Sequence, residues 1–274
     1  AHCDPKGKMN SLFRLIKLSS EQFLILMPKN LFAPLDHLKK YAVFSKVTFQ
    51  VLDWQIVGLI GHNGAGKSTT IKSLVSVITP TTGSIEVDGQ DLYSHRLAIK
   101  KKIGYVADSP DLFLRLTANE FWELVATSYD MSQKDCDQRL EELLRIFDFQ
   151  SHRYEVIESF SHGMRQKVFV IAALLSDPDI WVLDEPMTGL DPQASYDLKQ
   201  MMRQHADRGK TVIFSTHVLE VAEQLCDKIA ILKKGNLIFY GTIEELKGQH
   251  PEQSLESIYL SLAGRKEEGG DHAS

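Results

Sequence analysis

Three glycines, a lysine and three successive hydroxyls crowd into the run Gly61-His62-Asn63-Gly64-Ala65-Gly66-Lys67-Ser68-Thr69-Thr70. Gly61, Gly66, Lys67 and Ser68 fill the fixed positions of G-x-x-x-x-G-K-[ST], with Gly64 between them. Chemistry of this composition is phosphate binding. Glycines free the backbone N–H groups to form an anion nest. A helix starting at the lysine adds its partial positive end. Gly61, Asn63, Gly64, Ala65, Gly66, Lys67, Ser68 and Thr69 are therefore the candidate nucleotide-binding residues, with Lys67 reaching the β- and γ-phosphates and Ser68 ligating Mg²⁺. The apolar run Ile56–Ile60 before the loop reads as a buried strand, and the residues from Thr69 to Val75 can open a helix. Strand, glycine loop and helix are the context that the motif requires. The ligand class is a nucleoside triphosphate.

A second chemical group stands at Ile180-Trp181-Val182-Leu183-Asp184-Glu185, an apolar strand ending in two acids. The first acid, Asp184, is placed to hold Mg²⁺. The next, Glu185, is placed to polarise water for attack on the γ-phosphate, help that typically contributes about 10²–10⁴-fold. Ser161 and Gly163 open a helix that runs to about Leu175, which makes a second anion-binding terminus. Phe214-Ser215-Thr216-His217 ends another apolar strand on a histidine.

Elements must bring these groups together. Thr48–Ile60, Gly83–Val87, Ile103–Ala107, Ile180–Leu183, Thr211–Phe214 and Lys228–Leu232 read as strands, with turns at Thr81-Thr82-Gly83 and Asp88-Gly89. From about Asn119 to Phe149 apolar residues recur at three and four, a helical pattern. The alternation predicts an α/β sandwich with a helical insertion over roughly 113–165. The 274 residues, 43% hydrophobic and 24% charged, suffice for a sizeable core. A net charge of −5 offers no basic surplus for nucleic acid. Cys3, Cys136 and Cys226 are scattered, which fits a reducing compartment and neither disulfides nor zinc. No apolar run approaches the roughly 18 residues that cross a membrane. Residues 1–8, before Met9, read as an appended leader. Met9–Leu18 reads as an ordinary packed helix or strand rather than a surface-seeking amphipathic helix, and Phe23–Met27 is too short for a signal-peptide core. The charged, Gly-rich end from Arg265 reads as a loose tail.

Taken together, the glycine loop, the Asp184-Glu185 strand end, Phe160-Ser161-His162-Gly163-Met164-Arg165-Gln166-Lys167, Met187-Thr188-Gly189-Leu190-Asp191-Pro192 and His217 resemble the motif set of ABC-type ATPases over roughly residues 45–262. The resemblance implies a P-loop NTPase (RecA-like) core with an antiparallel β subdomain and an inserted α-helical subdomain. It implies ATP with Mg²⁺, hydrolysis by a homodimer or heterodimer of such domains, and a signature segment, here Ser161 and Gly163, that completes the partner's site. Asp191 falls in the segment that crosses the dimer interface, and His217 contacts the γ-phosphate. The signature Ser-His-Gly-Met-Arg-Gln-Lys, Gly241-Thr242-Ile243-Glu244-Glu245-Leu246 and the stretch Ser254–Leu262 are similar to the nucleotide-binding subunits of antibiotic, bacteriocin and peptide exporters, close to Ecs-type subunits of Gram-positive bacteria. That implies integral membrane transporter subunits as partners and a peripheral place on the cytoplasmic face of the plasma membrane.

Two departures stand out. Asp108 occupies the loop position where the family has Gln; a carboxylate only accepts hydrogen bonds, so Asp108 is a candidate for Mg²⁺, for the attacking water and for coupling to the membrane partner. The second is the N-terminus: residues 10–40 do not read as the first strand and turn of the family, so Tyr41 is the candidate for adenine stacking. The expected organisation is a divergent segment at 1–40, an ATPase domain at 41–262 and a tail at 263–274. Alternatives are a soluble non-transport ABC ATPase, an importer subunit, or a regulatory module that binds ATP without turnover. Intact Glu185 and His217 argue against the last.

Overall fold

The first described strands form a sheet that their sequence does not announce. The computed structural model describes residues 15–19, 22–25, 47, 49–52, 54–80, 84–108, 113–249 and 253–263. Strand β1 (Leu15–Ser19) pairs antiparallel with β2 (Gln22–Ile25), and β2 pairs antiparallel with β3 (Phe49–Leu52). This corrects the reading of residues 10–40 as lacking a first strand, and of the helix or strand expected over Met9–Leu18 it gives the strand, at Leu15–Ser19. The apolar residues there follow neither period clearly, and a sheet register rests on partners distant in sequence, which local pattern does not carry. Tyr41 lies outside the described residues, as does the segment 264–274.

After a turn at Trp54 (φ 61°), β4 (Ile56–Ile60) leads into the glycine loop and α1 (Lys67–Leu74). The short ribbon β5 (Glu86–Val87) and β6 (Gln90–Asp91) turns on Asp88-Gly89, both at positive φ as a tight hairpin demands. Helix α2 (Arg96–Lys100) and β7 (Ile103–Val106) follow, then α3 (Ala118–Ser128), α4 (Gln133–Ile146) and α5 (His162–Leu175). The remainder alternates: β8 (Ile180–Leu183), α6 (Pro192–Asp207), β9 (Thr211–Thr216), α7 (Leu219–Leu225), β10 (Lys228–Lys233), β11 (Asn236–Gly241), α8 (Ile243–Gly248) and α9 (Leu255–Ala263).

The main sheet has the order β11-β10-β4-β9-β8-β7, parallel except for the β10–β11 hairpin. Alternation along each strand serves two faces. Trp181, Leu183, Val212 and Phe214 pack toward α3–α6, while Ile180, Val182, Ile213, Val57 and Leu59 pack toward α1 and the antiparallel strands. Burial on both faces explains why β4 and β8 are almost continuously apolar, and why β9 carries Val212-Ile213-Phe214 at its centre.

The helical pattern expected over 119–149 divides in two. Asp130 takes a left-handed φ of 55°, and the Ser132 side chain caps a new helix by accepting from the Asp135 N–H. Thr117 and Glu120 form a reciprocal capping box at the start of α3. Trp122, fully buried, donates its indole N–H to the Val168 carbonyl at 2.9 Å, which fastens α3 to α5.

A buried histidine joins α6 to the sheet. The His205 ring meets Trp181 edge-on at 5.6 Å, and its Nδ1 faces the Arg208 guanidinium at 3.3 Å. Arginine only donates, so Nδ1 accepts and the ring proton sits on Nε2, which has no partner. Burial, with Lys210, Arg208 and Arg139 nearby against the single Asp177, lowers its pKa from 6.5 to about 4. Between those values the unfolded chain holds a proton that the folded chain lacks, so stability falls as pH drops through this window, by at most about 3 kcal/mol. Replacing His205 with Phe keeps the ring and removes the titration. Urea unfolding from pH 7 to 4.5 should show a flatter acid limb for His205→Phe than for the unaltered chain.

Candidate functional site

The glycine loop wraps the N-terminus of α1. Gly66 precedes that helix at φ 111°, a conformation costly for any residue with a Cβ, and the Ala65 N–H donates to the His62 carbonyl at 3.0 Å to close the turn. Lys67, only 5% exposed, points its ammonium back under the loop. It donates to the Gly61 carbonyl at 2.7 Å and the His62 carbonyl at 3.4 Å, and it forms an ion pair with Glu185 at 3.0 Å.

Parallel pairing of β4, β9 and β8 sets the ends of these strands side by side. Asp184 follows β8 and is fully buried; its N–H donates to the Val106 carbonyl of β7 at 2.9 Å. Ser215 of β9 is the hub. Its hydroxyl donates to Asp184 Oδ1 at 2.6 Å and accepts from the Glu185 N–H at 2.8 Å. The Ser68 hydroxyl donates to the same Oδ1 at 3.1 Å. Burial raises the Asp184 pKa, the two serine hydroxyls oppose that, Asp108 raises it further and Lys72 lowers it. Asp184 Oδ2 is buried without a partner.

That free oxygen is the test for a metal. A Mg²⁺ ion keeps water and takes one or two protein oxygens plus phosphates. Asp184 Oδ2 and the Ser68 hydroxyl fit this donor set. Among the described residues no cluster of three or more His, Cys, Asp or Glu forms a protein-only cage.

Glu185 adopts φ 48°, which turns its carboxylate off the strand and into the cleft. One oxygen pairs with Lys67; the other meets His217 Nδ1 at 2.9 Å. A carboxylate oxygen accepts, so His217 Nδ1 carries the hydrogen of this contact. Asn63, Gly64, Gly66, Lys67, Ser68, Thr69, Asp108, Glu185, Thr188 and His217 line one open cleft of about 390 Å³. The structure thus brings the glycine loop, both acids, His217 and Asp108 together.

The signature residues lie elsewhere. Ser161 caps α5, its hydroxyl accepting from the Met164 N–H at 3.3 Å. Gly163 abuts the segment after Glu185: a Cβ there would stand 2.9 Å from the Gly189 carbonyl oxygen. Asp191 caps α6 by accepting from the Ala194 N–H at 2.8 Å, and this bond lowers its pKa. Within this chain Ser161, Gly163 and Asp191 do not line the cleft. Sequence reasoning missed the role of Ser215 and of Gln166, whose buried side chain reaches the Pro186 carbonyl at 3.5 Å. The signal for Ser215 was a small hydroxyl directly after the apolar run Val212-Ile213-Phe214, two positions before His217.

A mostly parallel sheet with a glycine loop and helix after one strand and an acid ending another defines a P-loop nucleotide-binding fold. The ABC transporter family model matches residues 44–188. The chain is 37% identical to the ABC-type transporter ATP-binding protein EcsA of Bacillus subtilis, over 83% of this chain and 92% of that protein. It is 32% identical to the linearmycin resistance ATP-binding protein LnrL of the same organism, over 83% of this chain and 73% of that one. A solved ATP-binding subunit of an ABC transporter superposes with a TM-score of 0.76 at 36% identity, covering 80% of this chain and 92% of its own. A dimeric ATP-binding cassette bound to ADP and Pi shares the fold, with a TM-score of 0.68 at 23% identity over 86% of this chain and 97% of its own. The chain belongs to the ABC transporter family, as an ATP-binding subunit.

Ser215→Ala removes both bonds of the hub inside a buried site. Leaving Asp184 and the Glu185 N–H short of partners should destabilise the fold by about 1–3 kcal/mol, read by urea unfolding. An unchanged midpoint would remove Ser215 from this role.

Proposed function

We propose that this chain binds MgATP, hydrolyses it as one half of a dimer, and powers export of a peptide, antibiotic or other amphiphilic cargo through separate membrane subunits. The observation that carries the reading is the Glu185 carboxylate, held between Lys67 and His217 at the mouth of the phosphate loop. A triphosphate entering the loop competes with Glu185 for Lys67. Once Lys67 turns to the phosphates, the carboxylate is free to orient water and accept its proton, while His217 holds the far side of the γ-phosphate. Ser68 and Asp184 hold Mg²⁺, whose chemistry is to neutralise charge on the β- and γ-phosphates. The loop amides of Gly61 and of Asn63 to Thr69 bind and orient the phosphates, and Tyr41 stacks on adenine.

In the proposed dimer, Ser161 and Gly163 supply the partner's site and Asp191 lies at the shared face. The ATPase domain spans 41–262 and takes β1 and β2 of the segment 1–40 into its antiparallel sheet, with 263–274 flanking it. Residues 113–165 act as the helical subdomain that passes motion to the membrane subunits, with Asp108 at its root. A groove of about 370 Å³ beside that root, with Val77 and Leu97 exposed on it and Tyr105 and Tyr129 behind, supports docking of a membrane subunit. Among the described residues no helix is long and apolar enough to cross a bilayer, in keeping with a peripheral place on the cytoplasmic face. The linearmycin and daunorubicin resistance proteins among the relatives support an export role.

Glu185→Gln should lower phosphate release by about 10²–10⁴-fold while MgATP still binds. With ATP present, that variant should bring down a polytopic membrane protein from detergent-solubilised membranes; recovery of ribosomes, assembly factors or nothing would end the transporter reading and leave the ATPase chemistry. Asp108→Gln should change membrane-partner-stimulated turnover more than ATP affinity, and equal losses in both would contradict the assigned coupling role.

A further inference from the structure

Tyr259 enters none of the chemistry above, yet its ring is buried against the glycine loop. On α9 the residues Leu255, Ile258, Tyr259 and Leu262 share one face by their spacing of three and four. Leu255, Ile258 and Tyr259 are buried with Ile60, the last residue before the loop, and with Ile229 and Ile231 of β10. The Tyr259 ring meets the exposed His62 ring at 5.0 Å between centroids, tilted by 58°. Burial raises the Tyr259 phenol, and a backbone hydrogen bond at His62 opposes that shift.

His62 is a structural corner of the loop. Its carbonyl accepts from the Ala65 N–H and from Lys67 Nζ, beside the Gly61 carbonyl that takes the stronger bond from the same ammonium. The β10–β11 turn closes on the loop from the other side. There the Gly235 N–H donates to the Ala65 carbonyl at 2.9 Å, and the Leu232 carbonyl oxygen lies 2.7 Å from where a Gly61 Cβ would stand. Lys233 Nζ then donates to the Leu262 carbonyl at 2.9 Å, a cation at the C-terminal end of α9 where the helix favours one. Loop, turn and helix form a closed circuit of contacts. A loop with three glycines has little stiffness of its own, so the direction in which Lys67 leaves it depends on what fixes His62.

We propose that α9 braces the phosphate-binding loop and that Tyr259, acting through His62, is a positioning residue for Lys67 in MgATP binding. This rests on the ATP reading of the site. The brace lies between the C-terminal part of the chain and the nucleotide, so displacement of α9 weakens phosphate binding without touching a catalytic group.

The test is a titration of the full chain with a non-hydrolysable ATP analogue and Mg²⁺ by calorimetry, with nucleotide-free melting curves in parallel. Tyr259→Leu and His62→Leu should each weaken binding by about two- to tenfold, the range expected of one aromatic pair. Tyr259→Phe keeps the ring and loses the hydrogen bond at His62, so it should weaken binding no more than Tyr259→Leu does. The double variant Tyr259→Leu/His62→Leu should be no weaker than the worse single one, since both remove one contact. His62 is exposed, so His62→Leu keeps the measurement clear of misfolding. Unchanged affinity in His62→Leu, losses that multiply in the double variant, or a lowered melting temperature with affinity intact would overturn the inference and leave α9 a purely stabilising helix. Binding by the unaltered chain and its loss in Lys67→Ala would keep the ATP reading standing in each of those cases. No binding by the unaltered chain would overturn the ATP reading first and this inference with it.

Discussion

One serine hydroxyl holds two acids at fixed positions. Ser215 donates to Asp184 and accepts from the backbone of Glu185, so the carboxylate that faces Ser68 and the carboxylate that faces Lys67 and His217 share an anchor on β9. The anchor works only in one register. β9 pairs Thr216 with Ile60 and Phe214 with Leu183, which sets Ser215 level with the loop on one side and the acids on the other. A slip of one residue would turn Ser215 to the opposite face of the sheet and bring a different side chain to the acids. The two-sided apolar core that buries Phe214, Trp181 and Val57 is what makes such a slip costly.

Around that anchor the electrostatics are arranged against themselves. Asp108, Asp184 and Glu185 gather at a cleft made for a polyanion, and Lys67 is the one ammonium among the cleft-lining residues. Burial and Asp108 both push Asp184 toward its neutral form, and only hydroxyls and the Lys72 field resist. On the proposed function, such a site is unfavourable to ATP alone and favourable to ATP carrying a divalent cation. On the proposed function, Asp108 strengthens this dependence: where glutamine would offer a neutral donor, the carboxylate adds charge that only a cation offsets.

The legible parts were those governed by local rules. The glycine loop declares itself by residue type, the β8 strand by its unbroken apolar run before two acids, and α5 by Ser161 as a cap; all three sit where their sequences place them. Hairpin β1–β2 was illegible because Leu-Ile-Lys-Leu and Gln-Phe-Leu-Ile are short and their pairing depends on β3, far along the chain. The break between α3 and α4 hides in Asp130 and Ser132, whose backbone preferences count for less than the helical spacing on either side. The role of Ser215 is hidden because nothing in Phe-Ser-Thr-His says which neighbouring strand lends it partners. The contact of Tyr259 with His62 joins positions that are distant in sequence and was equally invisible.

Gly163 and Gly189 touch through bare backbone, and the His162 ring fills the place where a Gly189 side chain would stand. Side chains absorb displacement by changing rotamer; main chain against main chain does not. Whatever tilts the start of α5 must therefore drag the segment behind Glu185 with it, like two gears cut without clearance. On the proposed function, a displacement of the helical region would reach the segment behind Glu185 through this backbone contact. On the proposed function, the timing of the two segments assigned to the partner is in this sense machined into a pair of missing methyl groups.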